Sequence, residues 1–164
     1  MSVTLDIFRS YIRPRAMMRR RIGEGRREDR ALAILMAACF LIFVAQLPRL
    51  AREAHLQPEI PLDARMGAAL VGWMVIAPLF FYALAALSHF AARLLGGRGE
   101  MWRARMALFW ALLASVPLWL LHGLVAGMIG PGPGLNLTGA LLLAGFFFIW
   151  INGLIVAERE GVRA

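Results

Sequence analysis

Four long apolar runs divide the chain and set its architecture. The longest, residues 67–92, has 26 residues without a charged side chain, more than the roughly 20 that a helix needs to cross a bilayer core. Three further runs cover residues 31–47, 106–129 and 135–157. Because the connections between the runs are short, the pattern predicts an all-α polytopic membrane protein with four transmembrane helices in an up-down bundle.

The residues before the first run are polar and rich in arginine. Leu5, Phe8 and Ile12 recur at spacings of three and four, so we predict an amphipathic helix with these residues on one face. Pro14 then favours the start of a second short basic helix. The predicted organisation is an arginine-rich amphipathic segment, 1–30, a four-helix membrane domain, 31–157, and a short tail, 158–164.

The arginines of the amino-terminal segment are candidates for contact with a membrane surface. Each arginine near an anionic leaflet contributes about 1 kcal/mol to binding, and apolar side chains beside it can insert into the leaflet. The residues predicted to bind anionic lipid or a membrane partner are Phe8, Ile12, Arg13, Arg15, Met17, Arg19, Arg20 and Arg21. The simpler alternative is that these arginines only fix the topology and otherwise lie in solvent.

The distribution of arginine predicts the orientation. All eighteen basic residues are arginine, and against ten acidic residues they give a formal net charge of +8. Fifteen of them fall in the amino-terminal segment, the connection 93–105 and the carboxyl terminus, which a four-span topology puts on one side. Because positively charged flanks stay in the cytoplasm, we predict that both termini are cytoplasmic.

Two prolines and two polar residues stand out inside the spans. Pro78 and Pro117 lie near the middle of the second and third spans, where each is expected to kink its helix. The two kinks either enclose a cavity or nest against each other. His89 and Asn152 fall at a similar depth in descending helices, so we predict that they are buried and close enough for a hydrogen bond.

No residue spacing typical of a catalytic or cofactor site occurs in the sequence. The serines in the spans have no histidine and carboxylate at a like depth, and there is no GxxxxGK[ST] loop. His55, with acidic residues nearby, leaves a weak metal site open in the connection 49–66, and Cys39 is expected to be a buried structural thiol. We therefore predict that the protein is not an enzyme and has no catalytic residues, cofactor, resident metal or nucleic-acid partner.

The order of these features resembles the bacterial branch of the Yip-domain family. The amphipathic lead, the segment IRPRAMMRRRI with its Pro14, and spans rich in Phe, Leu and Ala are similar to that family, as are REDRALAILMAACFLIFVAQLPRLAREAH and PLFFYALAALSHFAARLLGGRG. The resemblance runs over residues 8–157 and implies a place in the bacterial inner membrane and a role as adaptor or organiser. Eukaryotic relatives have a cytoplasmic amino terminus, associate with Rab-type GTPases and are described with five spans, whereas four are predicted here.

Three functions remain open from the sequence. The leading hypothesis is a membrane adaptor or organiser whose basic cytoplasmic face acts on anionic lipid, a membrane-protein partner or a second copy of itself. The first alternative is an accessory subunit or assembly factor of a larger membrane complex, which the small residues Ala68 and Gly72 would suit because they let another helix approach closely. The second is a small channel or transporter that uses the Pro78 and Pro117 kinks as a passage.

Overall fold

The computed structural model describes residues 3–23 and 28–159, and all regular structure in these two ranges is helical. Four helical units are long and apolar enough to cross a membrane, so the predicted all-α fold with four spans is confirmed. The elements are α1 Val3–Ile12, α2 Pro14–Gly23, α3 Glu28–Leu56, α4 Leu62–Val71, a π-helical segment Gly72–Ile76, α5 Ala77–Leu94, α6 Met101–Met128 and α7 Pro133–Arg159. The second span consists of α4, the π-helical segment and α5.

The first span is longer than the apolar run that predicts it. Helix α3 continues through Pro48 to Leu56, and the long connection expected from 49 to 66 shrinks to residues 57–61. A proline removes one backbone hydrogen bond but does not forbid the turns that follow it. Beyond it, Arg49 and Glu53 form an i,i+4 ion pair with Nε 3.6 Å from Oε1, which supports the helix after the apolar side chains stop.

Helix α6 lies at the centre of the bundle, with α3 and α7 packed along it. Its first half is buried on every side, and Phe109 and Trp110 are among the largest enclosed side chains. In its second half, Gly123 lies so close to α3 that an added Cβ would overlap the carbonyl oxygen of Ala45. The glycine spacing of α6 thus lets the two backbones meet, as small residues do in membrane helices.

The second span changes its helical form just before Pro78. The backbone N–H of Ala77 bonds to the carbonyl of Gly72, five residues back, which is the pattern of a π-helix. Pro78 cannot donate to the carbonyl four residues before it, and the wider turn accommodates that loss. Pro117, in contrast, lies exposed within a continuous α6, so only the second span departs from α-helical form at its proline.

One end of the bundle, which we call the arginine-rich end, carries the amino-terminal ends of α3 and α6 and the carboxyl-terminal ends of α5 and α7. Two contacts across the helices define it. Arg105 of α6 places Nη2 3.0 Å from Oε1 of Glu28 at the start of α3, and His89 of α5 reaches Glu158 of α7. Consecutive spans therefore run in opposite directions, as an up-down bundle requires.

Candidate lipid-binding and partner-binding face

Helices α1 and α2 form a hairpin that packs on the bundle at the arginine-rich end. Its two arms are joined at Arg13, whose N–H bonds to the carbonyl of Arg9 at 2.8 Å. Pro14 opens α2, where its fixed φ and missing N–H do no harm. The α1 arm contacts mainly α6, and the α2 arm contacts mainly α7.

A buried ionic cluster holds the two arms together. Asp6 of α1 is 4% exposed, and its Oδ2 lies 3.0 Å from Nη2 of Arg21 on α2. Arg20 contributes a longer contact, with Nη1 3.7 Å from Oδ1 of the same carboxylate. The guanidinium of Arg21 also lies 4.1 Å from the ring centroid of Trp110 on α6, so the pair is stacked on the central helix by a cation–π contact.

Two further hydrogen bonds attach the polar side of α1 to α6. Ser10 accepts a bond from Nε1 of Trp110 at 2.9 Å and donates to the carbonyl of Asp6 at 2.8 Å. Tyr11 donates its hydroxyl to the carbonyl of Ala114 at 2.9 Å. Burial raises the pKa of the Tyr11 hydroxyl above its ordinary value. The polar side of α1 therefore faces the protein.

The apolar side of α1 faces outward. Leu5, Phe8 and Ile12 are 56%, 67% and 78% exposed, although removing each of these side chains from water is favourable. Met17 was expected to insert into lipid beside them, and that expectation is wrong. It is 5% exposed and belongs with Met18 to the protein core, because the α2 arm turns this side toward α7, where the Met18 methyl lies near Gly153.

Three of the predicted arginines line a groove beside the hairpin. Arg13, Arg15 and Arg19 meet Phe148 and Asn152 of α7 around a volume of about 380 Å³, whereas Arg20 and Arg21 are engaged with the carboxylate of the ionic cluster.

The expected bond between His89 and Asn152 does not form. The Oδ1 atom of Asn152 accepts a hydrogen bond from Nε of Arg15 at 2.9 Å, and the asparagine is only half-buried. Its different partner follows from the hairpin, which occupies the face of α7 where Asn152 lies.

His89 instead pairs with Glu158, which the sequence assigns to the short tail beyond the bundle. Nδ1 of His89 lies 2.7 Å from Oε1 of Glu158, and both side chains are 5% exposed. The other carboxylate oxygen accepts the N–H of Gly99 at 3.0 Å, and the Glu158 carbonyl accepts the N–H of Arg98 at 3.1 Å. Glu158 therefore fastens α5 and the connection 95–100 to the end of α7. The sequence feature that points to this pair is an acidic residue directly after an apolar run, at the same depth as a histidine on another span.

The remaining candidate residues give no metal site among the described residues. Cys39 is buried and unpaired, His55 is exposed, and within residues 3–23 and 28–159 no group of three or more histidine, cysteine or acidic side chains could hold a metal ion. The fold and its four apolar spans define an all-α multi-pass membrane protein. No protein-family model matches the chain, and neither the curated proteins nor the solved structures give a significant match.

Proposed function

We propose that the protein is a non-enzymatic adaptor of the bacterial inner membrane that binds anionic lipid through the hairpin at its cytoplasmic face. The main observation behind the proposal is the orientation of α1, which packs its polar side against the bundle and exposes its apolar side. Asp6 and Ser10 are buried against the bundle, while Leu5, Phe8 and Ile12 cover the outside. These three large apolar side chains lie on the outer side of α1, where they can contact acyl chains. An amphipathic helix at a membrane surface makes the same kind of contact.

The depth of the hairpin suits this role. Tyr11 bonds to Ala114 of α6, which lies nine residues beyond Arg105, or about 13 Å along the helix axis. Interfacial helices bury their apolar side roughly 5 to 10 Å into the boundary between headgroups and acyl chains. The end of α1 therefore lies among the acyl chains, somewhat deeper than such helices, and the long arginine side chains beside it extend toward the headgroups.

The charges near the hairpin fit an anionic leaflet. Arg13, Arg15 and Arg19 line the same groove, and fifteen of the eighteen arginines belong to the side that the positive-inside rule assigns to the cytoplasm. The Yip-domain resemblance, which implies an adaptor role, stays a prediction and contributes no residue to this proposal.

Spin labels can test where the apolar side of α1 lies. Cys39 is buried, so a label attached at Phe8→Cys in proteoliposomes reports the hairpin alone. We expect its accessibility to dissolved oxygen to match that of Leu143→Cys on the lipid side of α7. A label at Glu59→Cys, in the exposed connection between α3 and α4, provides the aqueous reference. A Phe8 label that resembles the Glu59 label would overturn the proposal.

Substitution of the groove arginines tests the charge component. Because each arginine near an anionic surface contributes about 1 kcal/mol, the triple variant R13Q/R15Q/R19Q should bind short-chain phosphatidylglycerol roughly a hundredfold more weakly in titration calorimetry. The single variant Arg13→Gln should lose about fivefold. Arg49→Gln, at the other end of the bundle, provides the control and should bind as the wild type does. Equal affinity in the triple variant and the control would contradict the role of the hairpin.

A role as accessory subunit of a larger membrane complex is the second candidate, and one observation favours it. Only 11% of the most apolar stretch of the second span is buried, and an added Cβ at Gly67 or Gly72 would meet nothing within 4 Å. Both glycines leave room for a further helix to approach. Gentle detergent extraction that yields a stoichiometric complex, lost in Gly72→Leu, would support this candidate over the adaptor.

A further inference from the structure

A second cleft opens at the arginine-rich end between the last turns of α5 and α7. It encloses about 440 Å³, within the range of about 300 to 1,000 Å³ that small-molecule sites occupy. Ala91 and Ala92 form one wall, and Ile151, Leu154 and Ile155 form the other. The cleft exists because the α5 wall consists of small residues, which leave the space opposite the branched side chains of α7 unfilled.

The polar groups of the cleft already have partners. Ser88 donates its hydroxyl to the carbonyl of Ala85 at 2.8 Å. The two carboxylate oxygens of Glu158 are held by His89 and by the N–H of Gly99. A ligand inside the cleft therefore contacts an apolar surface with few free polar groups. Such a surface favours a hydrocarbon chain.

Two arginines lie next to the cleft residues in the chain. Arg93 and Arg98 flank the cleft residues Leu95, Gly96 and Gly97 in the chain, and both arginines are exposed. Among the described residues, neither guanidinium has an ion-pair partner. Arginine at this position suits a phosphate, which its planar fork binds through paired hydrogen bonds.

We infer that the cleft between α5 and α7 binds one acyl chain of an anionic phospholipid, whose phosphate is held by Arg93 and Arg98. A helix of a partner protein would not fit, since a helix with side chains is about 10 Å across and the cleft holds only 440 Å³. The inference rests on the membrane position of the spans and is independent of the hairpin. The two sites use different faces of α7: Phe148 and Asn152 line the groove beside the hairpin, whereas Ile151 and Leu154 line this cleft.

Native mass spectrometry of the full-length protein with added dioleoyl phosphatidylglycerol tests the inference. The wild type should retain one lipid in this cleft after mild detergent removal, in addition to any lipid bound at the hairpin. Leu154→Trp fills the cleft from α7 and should abolish this adduct, and Ala91→Leu, which fills it from α5, should do the same if the tryptophan variant does not fold. Leu143→Trp places the same side chain on the exposed surface of α7 and should keep the lipid. Wild-type retention in a folded filling variant would overturn the inference.

Loss of these two arginine charges should weaken the adduct without abolishing it. R93Q/R98Q should lower the affinity roughly thirtyfold, which equals about 2 kcal/mol for two arginines, while Arg49→Gln should change nothing. The hairpin variant R13Q/R15Q/R19Q separates the two sites. If it keeps the adduct that Leu154→Trp loses, the lipid belongs to this cleft. If it loses the adduct while Leu154→Trp keeps it, the lipid belongs to the hairpin and the inference fails.

Discussion

The second and third spans are almost equally apolar but differ greatly in packing. The mean hydropathy of their most apolar stretches is 2.1 and 1.9, yet 11% of that stretch is buried in the second span and 56% in the third. In water the second span would be an aggregation hazard. In a bilayer its side chains need no protein partner, since lipid tails are as apolar as leucine. The difference teaches that apolar content brings a helix into the membrane, whereas small residues and polar contacts decide whether it joins the core.

The largest effect should come from closing the approach between α6 and α3. Gly123→Leu puts a side chain where the carbonyl oxygen of Ala45 already lies. Because backbone cannot yield as a flexible side chain does, we expect a loss of more than about 3 kcal/mol of stability and a failure of α3 to pack. Unfolding in mixed micelles, followed by circular dichroism, measures the change.

The same substitution in the second span provides the matched control. An added Cβ at Gly72 meets nothing within 4 Å, so Gly72→Leu should leave the monomer within about 1 kcal/mol of the wild type. Equal destabilisation by the two substitutions would show that both spans pack alike, which would contradict the comparison.

A smaller effect should follow from releasing the second span at the arginine-rich end. His89→Ala removes the partner of Glu158 and leaves a buried carboxylate with one backbone donor. Breaking a buried pair in this way costs about 3 kcal/mol at the lower end of the observed range. Thermal unfolding measures the loss, and Phe90→Ala, at the exposed neighbouring residue, should cost much less.

The double variant His89→Leu/Glu158→Leu sharpens this prediction. Well-packed apolar residues often replace a buried polar pair without loss, so the double variant should be more stable than His89→Ala. If both variants are equally unstable, the contact acts through packing and not through charge.

The sequence predicts the spans well because one physical quantity, the length of an apolar run, decides them. It predicts their ends less well. Helix α3 runs on to Leu56 because the pair Arg49 and Glu53 can continue a helix outside the apolar region, and no pattern in the sequence states whether it does.

The candidate site shows a different limit. The apolar spacing of Leu5, Phe8 and Ile12 predicts a helix at α1, and the structure has one there. The contacts of its polar side could not be read from the sequence, because Asp6 pairs with Arg21, 15 residues away on α2, and Ser10 bonds to Trp110, 100 residues away on α6. Glu158 was missed for the same reason, since its partner His89 comes from a span distant in sequence.

The smallest effect on stability should come from replacing the two prolines. Pro78 and Pro117 differ in how they affect the geometry of their spans. Pro78→Ala restores a donor for the carbonyl four residues before it, so the π-helical segment Gly72–Ile76 can become α-helical. Conversion of the π-helical turn to an α-helical turn shifts the pairing by one residue and so rotates α4 against α5 by about 100°. This rotation is opposed by the edge-to-face contact of Trp73 with Trp119, whose ring centroids lie 5.7 Å apart.

Spin-label distances between Val71→Cys and Leu121→Cys can follow this rotation, since both positions are exposed. We expect the distance distribution to shift in Pro78→Ala, with a stability change of less than about 1 kcal/mol because the second span has few contacts to lose. Pro117→Ala should leave the distances unchanged, because α6 is already a continuous helix through that position. A shift in Pro117→Ala and none in Pro78→Ala would mean that the break in the second span arises from its packing on α6 and not from the missing donor.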